Sequence, residues 1–276
     1  MTIVVKIGGS NGVAIKNIVR EIAQCVANGQ RLVVIHGGSD LTNTLSERLG
    51  HQVRMVTSPG GMVSRYTDSE TLRIYAMAVA GQINTELVAS LQQHGVNALG
   101  LAGVDGRLLL ARRKSAVRSI MPGGRIQILR DDYTGKIERV NVALLCQLLD
   151  SGYIPVIAPL ALSPDGERLN VDGDRVASIV ASALHADVLV IMTNVPGLLV
   201  DPEDQTTLIH SIPTHQLADY IQYAHGRMRK KLLGAQEAIQ NGVPRVCMGS
   251  NSFLDVLNGS GTVIESLPIF AERNLI

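Results

Sequence analysis

Apolar positions follow two alternating rhythms along this chain. Mainly β-branched or aliphatic runs at residues 3–7, 32–35, 154–157 and 188–192 read as short strands buried on both faces of a parallel sheet. Between them the spacing changes to that of a helix. Ile15, Ile18, Val19, Ile22 and Val26 share one helical face, and the pattern stops at Asn28-Gly29. A second helix runs from the turn at Gly37-Gly38 to about Leu49. A long one runs from about Glu70 to His94, with Thr67 or Asp68 as its cap and Gly95 closing it. Further helical patterns cover about 142–150, the segment from Asp174 to about Leu184, and Gly226 to about Asn241. Strands alternating with helices predict an α/β fold with a mainly parallel sheet.

The ends of these strands carry the chemistry. The first breaks into Gly8-Gly9-Ser10, the second into His36-Gly37-Gly38-Ser39-Asp40 and the fourth into Thr193-Asn194-Val195-Pro196-Gly197. Glycine turns expose backbone N–H groups to an anion, and ligands of open α/β sheets bind beyond the carboxyl ends of the strands. Lys6 lies inside the first apolar run, and two readings stay open for it. Its ammonium faces a polar cleft, or it snorkels from an edge strand. Arg65 precedes a helix start, where its fork can hold a carboxylate or simply stand in solvent. Asn170-Val171-Asp172-Gly173-Asp174 is either a capped turn or a charged cluster beside a phosphate. Lys230 and Lys231 sit in what reads as a first helical turn, a poor place for cations unless an anion is there.

Composition narrows the class. The 276 residues suffice for one large core or two lobes sharing a sheet, and 46% apolar content fits a globular protein. The N-terminus carries no signal-peptide pattern and no run approaches a membrane span, so a cytoplasmic protein is expected. Cys25, Cys146 and Cys247 have no metal-ligand spacing and read as small core residues. A net charge of +1 and the absence of Trp argue against a nucleic-acid binder. Charge is nevertheless concentrated locally. Asp105-Gly106 and Pro122-Gly123-Gly124 mark residues 104–139 as an antiparallel hairpin insertion. It bears Arg107, Arg112, Arg113, Lys114, Arg118, Arg125, Arg130, Lys136 and Arg139. That cationic face is either merely solvated or a docking surface for an acidic partner.

In their order along the chain, V-K-I-G-G-S, H-G-G-S, S-R-Y-T-D, N-V-D-G-D, T-N-V-P-G and G-R-M-x-x-K resemble the amino acid kinase superfamily over nearly the whole length. The branch most resembled phosphorylates aminoadipate or glutamate attached to the carrier protein LysW. Acetylglutamate kinases share the plan but usually read H-G-G-G where this chain has Ser39, and some relatives carry Asp in place of Asn194. The resemblance implies a three-layer αβα sandwich around an eight-stranded sheet, in a homodimer. It implies an acceptor-binding and dimerisation lobe at 1–168 and an ATP-binding lobe at 169–276. Lys6 and Lys231 would flank the transferred phosphoryl group, with Asp174 holding both. Gly37, Gly38, Ser39, Arg65 and Asn170 would bind the acceptor. Gly8, Gly9, Asn194, Gly197 and Leu199 would bind ATP, which would bring Mg²⁺ with it, and no metal site of the chain's own is implied. Arg112, Arg113 and Lys114 form the densest part of the basic segment and are the expected contact with LysW, with Arg118 and Arg125 as its neighbours. Two other functions fit the same plan: an N-acetylglutamate kinase of arginine synthesis, and a non-catalytic nucleotide or amino-acid sensor.

Overall fold

The computed structural model describes residues 1–9, 14–121, 123–250 and 252–265; Ser10 and Pro122, both placed at turns by the sequence, lie outside the described residues. The strands are, in chain order, β1 (Thr2–Ile7), β2 (Arg31–His36), β3 (Met55–Thr57), β4 (Val63–Arg65), β5 (Ala98–Ala102), β6 (Leu109–Arg113), β7 (Val117–Ile120), β8 (Ile126–Leu129), β9 (Gly135–Val140), β10 (Ile154–Ala158), β11 (Leu160–Leu162), β12 (Arg168–Asn170), β13 (Val188–Met192), β14 (Ser211–Pro213), β15 (Arg245–Gly249) and β16 (Thr262–Glu265). The helices are α1 (Ile15–Ala27), α2 (Ser39–Arg48), α3 (Ser69–Ala76), α4 (Asn84–Gln93), α5 (Val142–Asp150), α6 (Gly173–Ala183), α7 (Leu217–Tyr220), α8 (Gly226–Gln240) and α9 (Phe253–Leu257).

Among the described residues one eight-stranded sheet runs β14-β16-β15-β13-β1-β2-β10-β5. Only the β15–β16 pairing in it is antiparallel. β1 lies at the centre, in register with β13 (Lys6 opposite Ile191) and with β2 (Ile7 opposite His36). Side chains of a strand alternate between its faces, and each face meets its own layer of helices. Val4, Val33 and Ile35 pack with residues of α5, α6 and α8. Ile3, Val5, Ile7, Leu32 and Val34 pack with α1, α4 and α9. Lys6 therefore points to the α6–α8 side and His36 to the α4 side. This is the expected three-layer sandwich.

Two sequence expectations change. The long helix begins where expected, with Asp68 accepting from the Thr71 N–H at 2.7 Å. Its middle, Met77–Ile83, is a π-helix between α3 and α4. Such a segment widens the turn and shifts every later side chain in phase. Residues 104–139 are not one hairpin either. Asp105-Gly106 is a crossover between sheets, with Gly106 and Arg107 at φ 55° and 52°. β6 and β9 pair with each other and join β11 and β12 in a separate four-stranded sheet. Their inward residues Leu109, Ala111, Ile137 and Val140 belong to the main core. Only β7–β8 stands out as a free hairpin, turning through Gly123 and Gly124.

Of the cysteines, Cys25 and Cys247 are buried and Cys146 is half-buried. Among the described residues no helix is long and apolar enough to cross a membrane.

Candidate active site

The turns after β1 and β2 touch through their backbones. The Gly37 N–H donates to the Ile7 carbonyl at 3.0 Å, and a Cβ on Gly9 would stand 2.6 Å from the Gly37 carbonyl carbon. A Cβ on Gly37 would in turn lie 2.8 Å from the Gly9 nitrogen, so neither position has room for a side chain. Gly38 is pinned from the helix side, where a Cβ would overlap Val79 and lie 3.1 Å from Ile83 Cδ1. The turn after β13 joins the same edge, since the Gly8 N–H donates to the Met192 carbonyl at 3.2 Å.

Lys6 sits in the central strand, which settles its two readings: it is not an edge residue. Its ammonium lies 3.0 Å from Asp174 Oδ1, and Lys231 Nζ lies 3.1 Å from Asp174 Oδ2. All three are nearly closed off, at 6%, 8% and 8% exposure. The approach is built locally. Asp172, not Asp174, caps α6 by accepting from the N–H groups of Asp174 and Arg175, which frees the Asp174 carboxylate for the lysines. Ser178 Oγ donates to the carbonyl of either Asp174 (2.9 Å) or Gly234 (2.8 Å), clamping α6 to α8. Lys231 belongs to the second turn of α8, not the first, so the expected opposition to the helix dipole does not apply to it.

Burial drives the Asp174 pKa up, but the two ammonium groups outweigh it and hold the carboxyl at about 2. Lys231 is pushed down to about 8, by burial first and by the neighbouring Lys6 next, against the pull of Asp174. With both lysines protonated the cluster keeps one positive charge in excess. A buried cluster of that sign suits a polyphosphate or a migrating phosphoryl group.

At the end of β4, Arg65 Nη2 donates to the Ser39 carbonyl at 2.9 Å. Its Nη1 is buried and has no hydrogen-bond partner among the described residues. Burial lowers the Arg65 pKa, yet guanidinium stays charged at any working pH. An orphaned guanidinium donor of this kind fits a carboxylate. Thr67 links Arg65 to Asn170: its hydroxyl donates to the Arg65 carbonyl (3.3 Å) and accepts from Asn170 Nδ2 (3.0 Å). From α8, Lys230 Nζ donates to the Val63 carbonyl at 2.6 Å. Gly197 lies against β16, where a Cβ would stand 2.5 Å from Thr262 Oγ1, and Leu199 is buried. Asn194 is exposed in the same turn.

Two residues escaped the sequence reading. His36 is 2% exposed and burial lowers its pKa to about 4, so the ring is neutral. Its Nδ1 donates to the Gly37 carbonyl at 3.0 Å, which leaves Nε2 to accept from Asn84 Nδ2 at 3.1 Å. Asn84 also donates to the Val156 carbonyl at 2.9 Å. The only signal in the sequence was a histidine beside Gly37-Gly38.

The model of the amino acid kinase family matches residues 1–250. The chain belongs to the amino acid kinase family. A [LysW]-aminoadipate kinase from Thermus thermophilus is 44% identical to it over 95% of this chain and 99% of its own length. One from Deinococcus radiodurans is 45% identical over 95% and 91%. An acetylglutamate kinase from Methanopyrus kandleri is 36% identical over 95% and 99%. Among solved structures, carbamate kinase from Giardia lamblia bound to AMP-PNP shares the amino acid kinase fold at a TM-score of 0.69, with 15% identity, over 96% of this chain and 98% of that one.

The basic segment is organised more tightly than its composition indicates. Arg113 stacks 3.8 Å over the Tyr133 ring, pairs with Glu167 at 2.9 Å and donates to the Asp132 carbonyl. Arg112 pairs with Glu138 at 2.8 Å. Two of the three expected docking cations thus have partners inside the chain.

Proposed function

We propose that the chain transfers the γ-phosphoryl group of ATP to the side-chain carboxylate of aminoadipate, or of glutamate, held on the carrier protein LysW. The reading places it in lysine biosynthesis, with arginine biosynthesis a second destination if glutamate is carried. One observation carries it: the buried Lys6–Asp174–Lys231 cluster beside the paired glycine turns.

Phosphoryl transfer to a carboxylate asks a protein for position and charge. An acceptor oxygen forms a bond to phosphorus while the bond to the leaving ADP oxygen breaks, giving an acyl phosphate. The acceptor is already ionised at neutral pH, and ADP leaves as an anion, so no general base is required. In this reading Lys6 and Lys231 stabilise charge on the transferred group and Asp174 fixes them. Gly8, Gly9, Asn194, Gly197 and Leu199 hold the nucleotide in the lobe 169–276, and Mg²⁺ arrives on its phosphates. Gly37, Gly38, Ser39, Arg65 and Asn170 hold the acceptor in the lobe 1–168, with Arg65 offering its orphaned donor. Carrier docking falls to the basic segment, and the chain works as a homodimer.

Identity supports LysW-linked aminoadipate over free N-acetylglutamate, at 44–45% against 36%. Aminoadipate and glutamate differ by one methylene, worth about 1–3 kcal/mol in a pocket. The test is ADP release, with hydroxylamine trapping of the acyl phosphate. Acceptors are LysW-linked aminoadipate, LysW-linked glutamate and free N-acetylglutamate. Turnover on the linked acceptors is expected. Turnover on N-acetylglutamate alone would overturn the reading in favour of an acetylglutamate kinase, and none on any acceptor would favour a sensor.

A further inference from the structure

The β7–β8 hairpin turns an apolar face to solvent. Its register pairs Ile120 with Ile126 and Arg118 with Ile128, and alternation along the strands puts these four side chains on one side. Ile120, Ile126 and Ile128 are 40%, 51% and 53% exposed. The opposite side carries Ser119 and Leu129, both buried, so the hairpin already packs inward and the isoleucines are left over. A two-stranded ribbon with exposed isoleucines is what proteins avoid unless the face is used.

Charge and position identify the user. From Lys114 to Arg130 the chain has four cations (Lys114, Arg118, Arg125, Arg130) and no carboxylate. All four are exposed, and none has an ion-pair partner among the described residues. Apolar residues inside a charged rim are the anatomy of a protein interface. A second copy of this chain is a poor occupant, because two-fold symmetry sets the same cationic patch against itself. The hairpin also belongs to the acceptor side. β7 lies against β3, Arg54 Nη2 donates to Gln127 Oε1 at 3.1 Å, and β4, which pairs with β3, carries Arg65.

We propose that this face, Arg118, Ile120, Ile126 and Ile128 with Arg125 at its rim, docks an acidic carrier protein that presents the acceptor carboxylate to Arg65. The inference rests on the carrier-linked reading above and moves the docking centre from Arg112 and Arg113 to the free hairpin. The isoleucines supply holding contacts, while the arginines supply steering, which acts on association rate.

The experiment measures initial rates with LysW-linked aminoadipate for the wild type and for the triple variant Ile120→Thr, Ile126→Thr, Ile128→Thr, which keeps β-branched residues in the strands. The expected result is a KM for the linked acceptor at least tenfold higher, with kcat within twofold and KM for ATP unchanged. A second variant, Arg118→Glu with Arg125→Glu, should raise the same KM and lose most of its salt dependence. Unchanged carrier KM in both variants overturns the docking face alone. So does a triple variant whose sedimentation shows a lost oligomer, which would assign the face to a second copy. A wild type that turns over no linked acceptor overturns the functional reading, and this proposal with it.

Discussion

Asn84 Nδ2 lies 3.1 Å from His36 Nε2 and 2.9 Å from the Val156 carbonyl, so one buried amide ties β2 to β10 just below the Gly37-Gly38 turn. Both amide hydrogens are used, and the imidazole's other nitrogen holds the Gly37 carbonyl. The π segment ends at Ile83, immediately before Asn84, and places Val79 and Ile83 against Gly38. The same helix thus sets the height of the turn through packing and its orientation through a hydrogen bond.

Asn84→Ala removes both donors, leaving the buried His36 Nε2 unpaired and taking one partner from the Val156 carbonyl. A stability loss of about 1–3 kcal/mol is expected, read from denaturant midpoints. Acceptor KM should rise several-fold while KM for ATP stays near its wild-type value. Equal changes in both constants would show that Asn84 supports the fold without orienting the acceptor turn.

The backbone contact between the glycine turns gives a steric prediction. In Gly9→Ala the new methyl falls within 2.6 Å of backbone that cannot swing aside. The variant should lose both activity and melting temperature. Gly81→Ala is the control: it lies in the π segment with nothing within 4 Å of its Cβ. That variant should keep its activity and gain up to about 1 kcal/mol from helix propensity. Gly9→Ala with wild-type kinetics would mean that the two turns separate freely.

How far the chain could be read without coordinates depended on the range of each interaction. The central strands, the glycine turns and Lys6 were legible because each is a local pattern of apolar runs and breakers. Asp174 was legible as a charged residue, but its spacing left two roles open, capping the helix or standing beside a phosphate. Only the structure separates Asp172, which caps, from Asp174, which meets the lysines. The π segment was invisible because a 3.6-residue period fits its flanks equally well. The His36–Asn84 bond joins residues 48 apart and leaves no spacing signal. Residues 104–139 misled because turn signals mark reversals without saying which strands pair, so a single hairpin insertion is expected where β6 and β9 join a separate sheet with their inward faces in the core. The small strands β11, β12 and β14 are three residues each, too short for any period.

The titration of the cluster gives two pH predictions with different windows. Lys231 loses its proton at about 8 when folded and at its ordinary 10.5 when unfolded. The unfolded chain holds more protons between those values, so this group's contribution to stability rises with pH there. kcat/KM for ATP, which reports the free enzyme, should fall as pH passes about 8 and the ammonium is lost. Asp174 works in the acid range: its stabilisation is full above the ordinary 3.8 and is lost as pH falls toward about 2. Asp174→Asn should abolish that acid-side dependence. A rate profile flat from pH 7 to 10 would contradict the assignment of Lys231 as a charged participant.

The most direct test is kcat at saturating ATP and LysW-linked aminoadipate for Lys6→Met and Lys231→Met, which keep an unbranched stem one atom shorter and delete its charge. In the proposed reading each removes one charge contact to the transferred group. Each should lower kcat by about 10²–10³-fold with little change in acceptor KM. Near-normal kcat in either variant would contradict the account, because that lysine would then only be holding Asp174 in place.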